Sequence, residues 1–354
     1  MAGRGKDQPG GHEGLSGPPS FDALLEILNS LEYGVLKAAV LNAALELDVF
    51  TVIAGGRHSL VGIADSAHAD KRGMEILLDA LCPLGLLSKS GEGYFLTPVS
   101  DAFLVRGKPA YYGRWMLEAG LGWRARGRAA EGIRTGKPVG FDASGSEADE
   151  IWASDVAPNT LVWPESAERA RRMWRTVGVG RETCPGARVL DVACGSGING
   201  FVLAQDDGRA RVTSLDLNPR VLDVAARVAE AMGVTEQVSL RRADALSGDL
   251  GREEYDVVLF GRILYYFQPD QVGAILRRAY MALKPGGLVV INSYIADEAR
   301  CKAETALLVA FQLFVFAPWS RVYTFAEYKE MLEAQGFGDV GQYGDGLIAA
   351  RKGG

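Results

Sequence analysis

A glycine-rich loop flanked by two carboxylates is the part of this chain whose residue types and spacing best suit a binding chemistry. Asp191 follows the apolar residues Val189 and Leu190, the segment Gly195–Gly200 reads GSGING, and Asp216 closes a second apolar segment. Glycine has no Cβ, so a glycine-rich backbone lets a ligand approach closely. A carboxylate at the end of the second segment can accept hydrogen bonds from both hydroxyls of a ribose. The pattern therefore predicts a nucleotide-like ligand.

The carboxylate of Asp191 decides which nucleotide this loop suits. The letters of Gly195–Gly200 also fit the dinucleotide fingerprint G-x-G-x-x-G, in which a helix N-terminus holds a pyrophosphate. A carboxylate at the mouth of the loop would repel the pyrophosphate of NAD. It would suit S-adenosyl-L-methionine (SAM), which carries an adenosine, no phosphate, and cationic sulfonium and ammonium groups. The sequence predicts SAM as the cofactor, with NAD and a ligand-free glycine turn as the alternatives.

These residues need a scaffold of alternating strands and helices to bring them together. Continuous apolar segments that suit strands buried on both faces recur after the loop, with helical patterns between them. The next three strands are predicted within Val238–Leu246, where the strand ends at Asp244, and at Tyr255–Leu264 and Leu283–Tyr294. Helices are predicted at Arg220–Met232 and Gln271–Leu283. This alternation predicts an α/β fold with a Rossmann-like, doubly wound and mostly parallel sheet. Ligands of such sheets bind beyond the carboxyl ends of the strands, where Asp191, Asp216, Asp244 and Gly261 would all fall.

From about residue 185 to its C-terminus the chain resembles the class I SAM-dependent methyltransferases. The glycine loop, the Asp244-Ala245 pair, the LKPGG turn and the final segment Tyr323–Val340 occur in the order of that family. Asp244 can accept from the adenine amino group, and Ala245 can lend it a backbone N–H. Ala193 stands where the family has its first glycine, so we expect a slightly altered loop that still binds the cofactor. The predicted cofactor-binding residues are Asp191, Ala193, Gly195, Gly197, Asp216, Leu217, Asp244, Ala245, Phe260 and Gly261.

The first part of the chain predicts a tail followed by a small helical domain. Residues 1–20 are rich in glycine, proline and charge, which predicts a disordered tail. Residues 21–105 read as helices, then a helix-turn-helix whose second helix is Lys71–Leu84, then a hairpin around Ser90–Gly93, which is a winged-helix outline. A net charge of −6 and an apolar second helix argue against DNA binding. The segment resembles the dimerisation domain of small-molecule O-methyltransferases, which implies a homodimer.

The middle of the chain, residues 106–184, is rich in aromatic residues. In the same family this region is a helical connector that roofs the acceptor pocket, and residues 185–354 then form the SAM-binding domain. The apolar run Ala306–Pro318 contains Gln312 and is too short to span a bilayer, so it predicts either a buried helix or an apolar lid over the acceptor. The predicted acceptor-pocket residues are Trp115, Met173, Phe311 and Phe314.

A catalytic histidine that the resemblance implies after the fourth strand is missing. The three histidines are His12, His58 and His68, and residues 263–267 read ILYYF where the family has a pattern like LHDW. A neutral imidazole can deprotonate a phenol near pH 7, whereas a tyrosine with a pKa of about 10 is a poor base.

Tyr265, Tyr266 and Arg262 are the predicted catalytic residues in place of that histidine. Tyr265 could position the acceptor or relay a proton, and both tyrosines could equally be aromatic packing. Arg262 could steer a carboxylate or a ring oxygen, or pair with Asp244. Three outcomes stay open: transfer to an acidic or well-oriented hydroxyl by proximity, transfer to an electron-rich carbon, or loss of methyl transfer with SAM kept as a structural ligand.

Composition narrows the remaining classes of protein. The 354 residues can hold two domains, and the four cysteines have no C-x-x-C spacing, so we expect no zinc site and a reducing, cytoplasmic location. The sequence therefore predicts a homodimeric SAM-dependent O- or C-methyltransferase of secondary metabolism, with an aromatic or polyketide-like acceptor and without metal, nucleic acid or membrane. A SAM-binding relative with hydroxylase- or decarboxylase-like chemistry is the first alternative, and a winged-helix DNA-binding regulator is the second.

Overall fold

The computed structural model of the chain describes residues 20–108, 111–113, 125–140, 152–153, 164–317 and 319–353. The described residues group into two compact units, with the division between Gly113 and Arg114. The first unit is mainly helical, and the second is built on a seven-stranded sheet.

The first unit is a series of helices with one two-stranded antiparallel hairpin. Four of the helices begin where a side-chain oxygen accepts a hydrogen bond from a backbone N–H of the first turn, at Ser20, Ser59, Asp70 and Thr97. The elements are α1 (Phe21–Glu46), α2 (Val49–Ala54), α3 (Leu60–Ser66), α4 (Lys71–Leu81), β1 (Leu87–Ser90), β2 (Gly93–Leu96) and α5 (Pro98–Phe103). The expected helix-turn-helix and hairpin are therefore present.

Helix α4 packs against α1 and α3 and is tied to the hairpin by polar contacts. Its buried residues are Met74, Leu78 and Leu81. It ends before the expected Leu84, because Pro83 has no N–H with which to continue the helical ladder. The Tyr94 hydroxyl of β2 donates to Asp79 Oδ1 at 2.7 Å, which ties the hairpin to the helix.

Helix α1 has an apolar surface that is largely exposed among the described residues. Its buried residues are Ala44 and Leu45, at its C-terminal end. Its exposed large apolar side chains are Phe21, Leu24, Leu25, Ile27, Leu28, Leu31, Tyr33, Val35 and Leu36. An exposed apolar surface of this extent is typical of a protein-protein interface.

The second unit contains a seven-stranded sheet in the order β5-β4-β3-β6-β7-β9-β8. The strands are β3 (Arg188–Val192), β4 (Arg211–Asp216), β5 (Val238–Arg242), β6 (Tyr255–Gly261), β7 (Leu283–Asn292), β8 (Phe337–Gln342) and β9 (Leu347–Lys352). The first five pair in parallel, whereas β9 is antiparallel to both β7 and β8. The strand order changes direction at β3, because β4 and β5 lie on one side of it and β6 and β7 on the other. Ligands of such sheets bind beyond the carboxyl ends of the strands at this topological switch point.

Helices cover both faces of this sheet. The helices of this unit are α6 (Ala129–Thr135), α7 (Pro164–Thr176), α8 (Ile198–Asp206), α9 (Pro219–Met232), α10 (Pro269–Ala282), α11 (Glu304–Phe316) and α12 (Phe325–Glu333), of which α6 packs against α11. Alternate strand residues enter two separate cores: Val189 and Val257 pack with α7, α8 and α9, whereas Leu190 and Val258 pack with α10 and α12. The expected doubly wound α/β fold is confirmed.

Three strand ends differ from those expected. The third strand ends at Arg242 rather than Asp244, the fourth at Gly261 rather than Leu264, and the fifth at Asn292 rather than Tyr294. In the first case the carboxylate of Asp244 accepts from the N–H of Leu246 at 2.9 Å and so closes a turn. Within the described ranges, no helix has the length and apolar character needed to cross a membrane.

Candidate active site

The carboxylate of Asp191 is buried inside the sheet. Its side chain is 1% exposed, and its Oδ2 atom has no hydrogen-bond partner among the described residues. The pKa of Asp191 is raised to about 7, first by burial and then by the nearby carboxylate of Asp216, while the N–H of Gly200 acts in the opposite direction. An unpaired buried carboxylate oxygen is costly, so this atom is suited to a cationic partner.

The glycines that follow Asp191 are required by close packing as well as by backbone conformation. Gly197 has φ 77° at the start of α8, and a Cβ there would overlap the ring of Phe201. A Cβ on Gly200 would lie 2.7 Å from Val212 Cγ1. The helix therefore starts close against the sheet, next to Asp191. Gly195 also has a left-handed backbone, with φ 56°, and lies in the turn between Asp191 and α8.

Asp216 closes the other side of this loop. Its Oδ2 accepts from the N–H of Gly195 at 3.1 Å, and its Oδ1 accepts from the N–H of Asn218 at 3.0 Å. Burial raises the pKa of Asp216, and the same two N–H groups limit the rise. The next side chain, Leu217, is 58% exposed, which leaves an apolar surface beside the carboxylate.

The Asp244-Ala245 pair lies in a turn beyond the end of β5. Asp244 Oδ1 accepts from Leu246 N–H at 2.9 Å, and its Oδ2 accepts from the Ser247 hydroxyl at 2.7 Å. Arg278 of α10 donates from Nη1 to the carbonyl oxygens of Ala245, at 3.0 Å, and of Leu246. The carboxylate and the arginine together fix the shape of this turn.

The carboxyl end of β6 lies beside the start of α8, which follows the glycine loop. Phe260 is fully buried in the apolar core, so its side chain faces away from any ligand and only its backbone is available. A Cβ on Gly261 would lie 3.3 Å from Asn199 Nδ2 of α8, so glycine allows the helix to pass closely. The strand end and the glycine loop are therefore neighbours.

These residues fit SAM. The unpartnered oxygen of Asp191 suits the ammonium group, the paired carboxylate of Asp216 suits the ribose hydroxyls, and exposed Leu217 suits the apolar face of adenine. The donors are carboxylates and backbone groups. Among the described residues no three His, Cys, Asp or Glu side chains form a group that could hold a metal ion.

Arg262 follows Gly261 in a left-handed conformation, with φ 56°. Its N–H donates to the carbonyl oxygen of Asn292 at 2.7 Å, and its guanidinium lies over the ring of Tyr294 at 5.2 Å. This places Arg262 against Tyr294, whereas the carboxylate of Asp244 is bonded within its own turn.

Tyr265 and Tyr266 lie in a short 3-10 helix, Leu264–Tyr266, just beyond Arg262. Their ring centroids are 4.7 Å apart, and Tyr265 is 5.9 Å from Tyr294 while Tyr266 is 5.6 Å from Trp152. Tyr265 is 6% exposed. The two tyrosines therefore belong to one aromatic cluster at the carboxyl edge of the sheet.

Helix α11 covers this cluster. Its residues Leu307, Ala310 and Leu313 pack in the same apolar group as Tyr265 and Tyr266. The helix is thus buried on one face, and this spacing of apolar residues is a helical pattern that sequence reasoning could have used.

The aromatic residues predicted on α11 lie elsewhere. Phe311 is 45% exposed, and Phe314 lies beside Gly132 of α6, so the structure does not bring either into the cluster around Tyr265. Met173 does reach the site edge, because its Sδ accepts from Asn292 Nδ2 at 3.5 Å. Trp115 lies outside the described residues.

Asn292, Arg278 and Tyr294 are site residues that the sequence reasoning missed. Asn292 ends the fifth strand, so the rule that ligands bind beyond strand ends would have found it. Arg278 acts from the third turn of a helix, and its contact with the Ala245 carbonyl spans 33 positions of sequence, which no local pattern reveals.

Two family models match the chain: a methyltransferase domain over residues 189–287 and an O-methyltransferase dimerisation domain over residues 30–106. A 3-hydroxy-5-methyl-1-naphthoate 3-O-methyltransferase of Streptomyces sahachiroi is 28% identical over 92% of this chain and 93% of that protein. The tetracenomycin polyketide synthesis 8-O-methyl transferase TcmO of Streptomyces glaucescens is 30% identical over 84% of this chain and 87% of that protein. The structure of human N-acetylserotonin methyltransferase in complex with SAM superposes with a TM-score of 0.76 at 22% identity, covering 95% of this chain and all of that one.

Proposed function

This chain belongs to the family of SAM-dependent O-methyltransferases that join a dimerisation domain to a methyltransferase domain, and we propose that it methylates a hydroxyl group of an aromatic or polyketide-like small molecule. SAM is the cofactor, and it supplies, when bound, a methyl group on a sulfonium that a nucleophile can displace directly.

The observation that carries the proposal is the buried, unpartnered Oδ2 of Asp191 at the mouth of the glycine loop. A dinucleotide would bring negative charge to this atom, whereas the ammonium group of SAM would bring positive charge. Asp216, already held by the N–H groups of Gly195 and Asn218, would hold the ribose, and Leu217 would pack against the adenine.

The turn containing Asp244 would have two roles: it would form a wall of the adenine pocket and it would bind the base. Both oxygens of its carboxylate already accept hydrogen bonds, from Leu246 and Ser247. Asp244 can still accept from the adenine amino group through remaining lone pairs. The backbone of Ala245 is fixed in this turn by Arg278, so its N–H has a defined direction for the ring.

The proposed acceptor binds next to the aromatic cluster of Tyr265, Tyr266 and Tyr294. Relatives at 28% and 30% identity are named for a hydroxynaphthoate and for a tetracenomycin polyketide. Flat aromatic molecules of that kind suit a site edge lined by tyrosine rings. The thioether of Met173, held by Asn292, would add an apolar contact.

Catalysis would rest on alignment and on the acidity of the acceptor. Residues 69–354 contain no histidine, and His58 bonds the carbonyl of Tyr94 and stacks on Phe95 within the first unit. Tyr265 and Tyr266 would position the acceptor oxygen, which would lose its proton to solvent. Proximity and orientation alone can supply several kcal/mol, on the order of 7 to 11 in well-aligned reactions.

We also propose that the enzyme acts as a homodimer. The exposed apolar residues of α1 belong to or adjoin the segment that matches the dimerisation model, and a second copy would cover them. The domain organisation that goes with this is a tail over 1–20, a dimerisation domain over 21–105, a connector and pocket roof over 106–184 and a SAM-binding domain over 185–354. A cytoplasmic location stays a prediction from the cysteine spacing.

Incubation with trideuteromethyl-labelled SAM and a panel of hydroxynaphthoic acids tests the proposal. Mass spectrometry should find a labelled methyl ether together with S-adenosylhomocysteine, and NMR of the product separates oxygen from carbon methylation. If SAM binds but no acceptor of this panel gains the label, the alternative of a SAM-binding protein with other chemistry gains support. Arg277→Gln, an exposed position of α10, serves as the unaffected control variant.

A further inference from the structure

Two polar residues meet at the carboxyl ends of β6 and β7. In the strand register Gly261 pairs with Asn292, so Arg262 begins directly beside the end of the next strand. The N–H of Arg262 donates to the carbonyl oxygen of Asn292 at 2.7 Å, which fixes the backbone of the arginine. The position of Arg262 is therefore set by the sheet itself.

The backbone of Arg262 is held in an unfavourable conformation. At φ 56° a residue with a Cβ is strained, and glycine or asparagine adopts this conformation more easily. Strain of this kind persists where the surrounding structure enforces it, and it is a recurrent feature of ligand sites. An arginine at this position directs its side chain over the Tyr294 ring.

The guanidinium of Arg262 lacks an anionic partner within the part of the chain that the structure describes. Some other arginines of this unit are paired, for example Arg171 with Asp206 at 2.9 Å and Arg175 with Glu168 at 2.6 Å. Arg262 instead lies over the Tyr294 ring and is exposed to solvent. A guanidinium that stacks on a ring keeps its N–H edge available, and that edge matches a planar carboxylate in a bidentate manner.

Aromatic rings lie beside Arg262 on the side of the tyrosines. Tyr265 lies 5.9 Å from Tyr294, and Asn292 directs its amide to Met173. A ligand here would meet ring faces, one amide and one cation. This combination suits a flat aromatic molecule that carries a negative charge at one edge.

We propose that Arg262, supported by the Tyr294 ring, binds a carboxylate on the aromatic acceptor and so selects acceptors that are aromatic acids. The inference rests on the proposed methyl transfer, because it concerns the acceptor of that reaction. Arg262 would hold the carboxylate of the acceptor. Because the aromatic ring is rigid, this contact would also fix the position of the hydroxyl that is to be methylated.

Matched acceptors test this selection. The pair is 3-hydroxy-1-naphthoic acid and its neutral carboxamide, compared by kcat/KM with the wild type, Arg262→Gln, Arg262→Lys and the control Arg277→Gln. A hydrogen-bonded charge contributes about 1.5 to 3 kcal/mol, so the acid should be preferred by roughly 10- to 100-fold in the wild type. Arg262→Gln should reduce the preference to about twofold by losing activity on the acid alone, whereas Arg262→Lys should keep part of it and Arg277→Gln all of it.

Equal kcat/KM for acid and carboxamide in the wild type would overturn the inference. So would an Arg262→Gln variant that loses activity equally on both, since that would assign Arg262 a structural role. If neither compound is methylated, fluorescence titration of both into the enzyme saturated with S-adenosylhomocysteine decides separately. If the acid then binds tenfold more tightly than the carboxamide, and Arg262→Gln removes this difference, the carboxylate site is supported although methyl transfer to these compounds fails. If neither compound binds, or both bind equally well, the carboxylate site and the methyl transfer are both contradicted.

Discussion

Ala193 and Arg262 share the same left-handed backbone, with φ 56° at each, and each is the first residue after one of two neighbouring parallel strands, β3 and β6. In the register of these strands Val192 pairs with Phe260, so the two strained residues lie within one position of each other along the sheet edge. The backbone turns sharply after both strands. These two turns lie at the edge of the sheet where the proposed cofactor and acceptor residues meet. Other described non-glycine residues with positive φ are Asp48, His68, Glu253, Arg300 and Asp339, but Ala193 and Arg262 directly follow adjacent strands at the proposed site.

The variant Ala193→Gly should stabilise the protein. Glycine adopts positive φ without the Cβ clash, and the gain should be about 1 kcal/mol, or roughly 2 °C in the thermal midpoint. The matched control is Ala225→Gly in the middle of α9, which should lower the midpoint because glycine weakens a helix. A lower midpoint for Ala193→Gly would show that the loop does not strain alanine. The affinity for SAM should stay within about threefold.

The affinity for SAM should rise with pH between 5.5 and 7. Asp191 has a pKa of about 7 in the free protein because it is buried, so at pH 5.5 it is mostly protonated and cannot pair with the ammonium group. Ligand binding then has to remove a proton, and the dissociation constant should fall by about tenfold as the pH rises to 7. The amino group of SAM stays charged over this range. Calorimetry in two buffers of different ionisation enthalpy should detect the released proton.

Asp191→Asn provides the control for that pH dependence. The amide has no charge to gain, so its SAM affinity should be weak and flat across the same range. If wild type shows no change in affinity between pH 5.5 and 7, the unpartnered oxygen of Asp191 does not meet the cationic end of the cofactor.

The variant Arg278→Ala should weaken the binding of both SAM and S-adenosylhomocysteine by about tenfold. Its guanidinium holds the carbonyl oxygens of Ala245 and Leu246, so its loss releases the turn that faces the adenine. Arg278→Lys should recover part of the affinity, and KM for the acceptor should stay unchanged. Equal loss for acceptor and cofactor would instead indicate a general defect of packing.

The variant Tyr265→Phe tests the hydroxyl of Tyr265 without changing the ring. If that hydroxyl positions the acceptor, kcat/KM should fall about 3- to 10-fold, as expected for one hydrogen bond, with SAM affinity and thermal midpoint unchanged. Tyr280→Phe, on a ring that packs on Phe337 away from the aromatic cluster, is the control. Unchanged turnover of Tyr265→Phe would assign this buried ring to packing under α11.

The sheet could be predicted because its signals are local. Continuous apolar runs, acids at strand ends and glycines at left-handed turns are visible in the letters around Asp191, Gly197 and Asp216, and parallel strands place their carboxyl ends together. The end of the third strand could not be predicted from the apolar pattern, because Asp244 closes a turn with its own side chain two residues after Arg242.

The acceptor side could be predicted only in part because it is built from contacts distant in sequence. Asn292 and Met173 meet across 119 positions, and nothing near either residue signals the pairing. The choice of Phe311 and Phe314 followed residue type, whereas the face of α11 that reaches Tyr265 is made by smaller residues such as Ala310 and Leu313. Phe260 was chosen by its place at a strand end, although strand alternation turns its side chain into the core.

The most direct test of the account is calorimetric titration of the purified protein with SAM, S-adenosylhomocysteine and NAD in parallel, together with the variant Asp216→Ala. The account predicts that both adenosyl ligands bind, that NAD gives no heat, and that Asp216→Ala weakens the adenosyl ligands at least tenfold while the thermal midpoint stays close to that of the wild type. Binding of NAD, or unchanged SAM affinity in Asp216→Ala, would contradict the assignment of this strand edge as the SAM site.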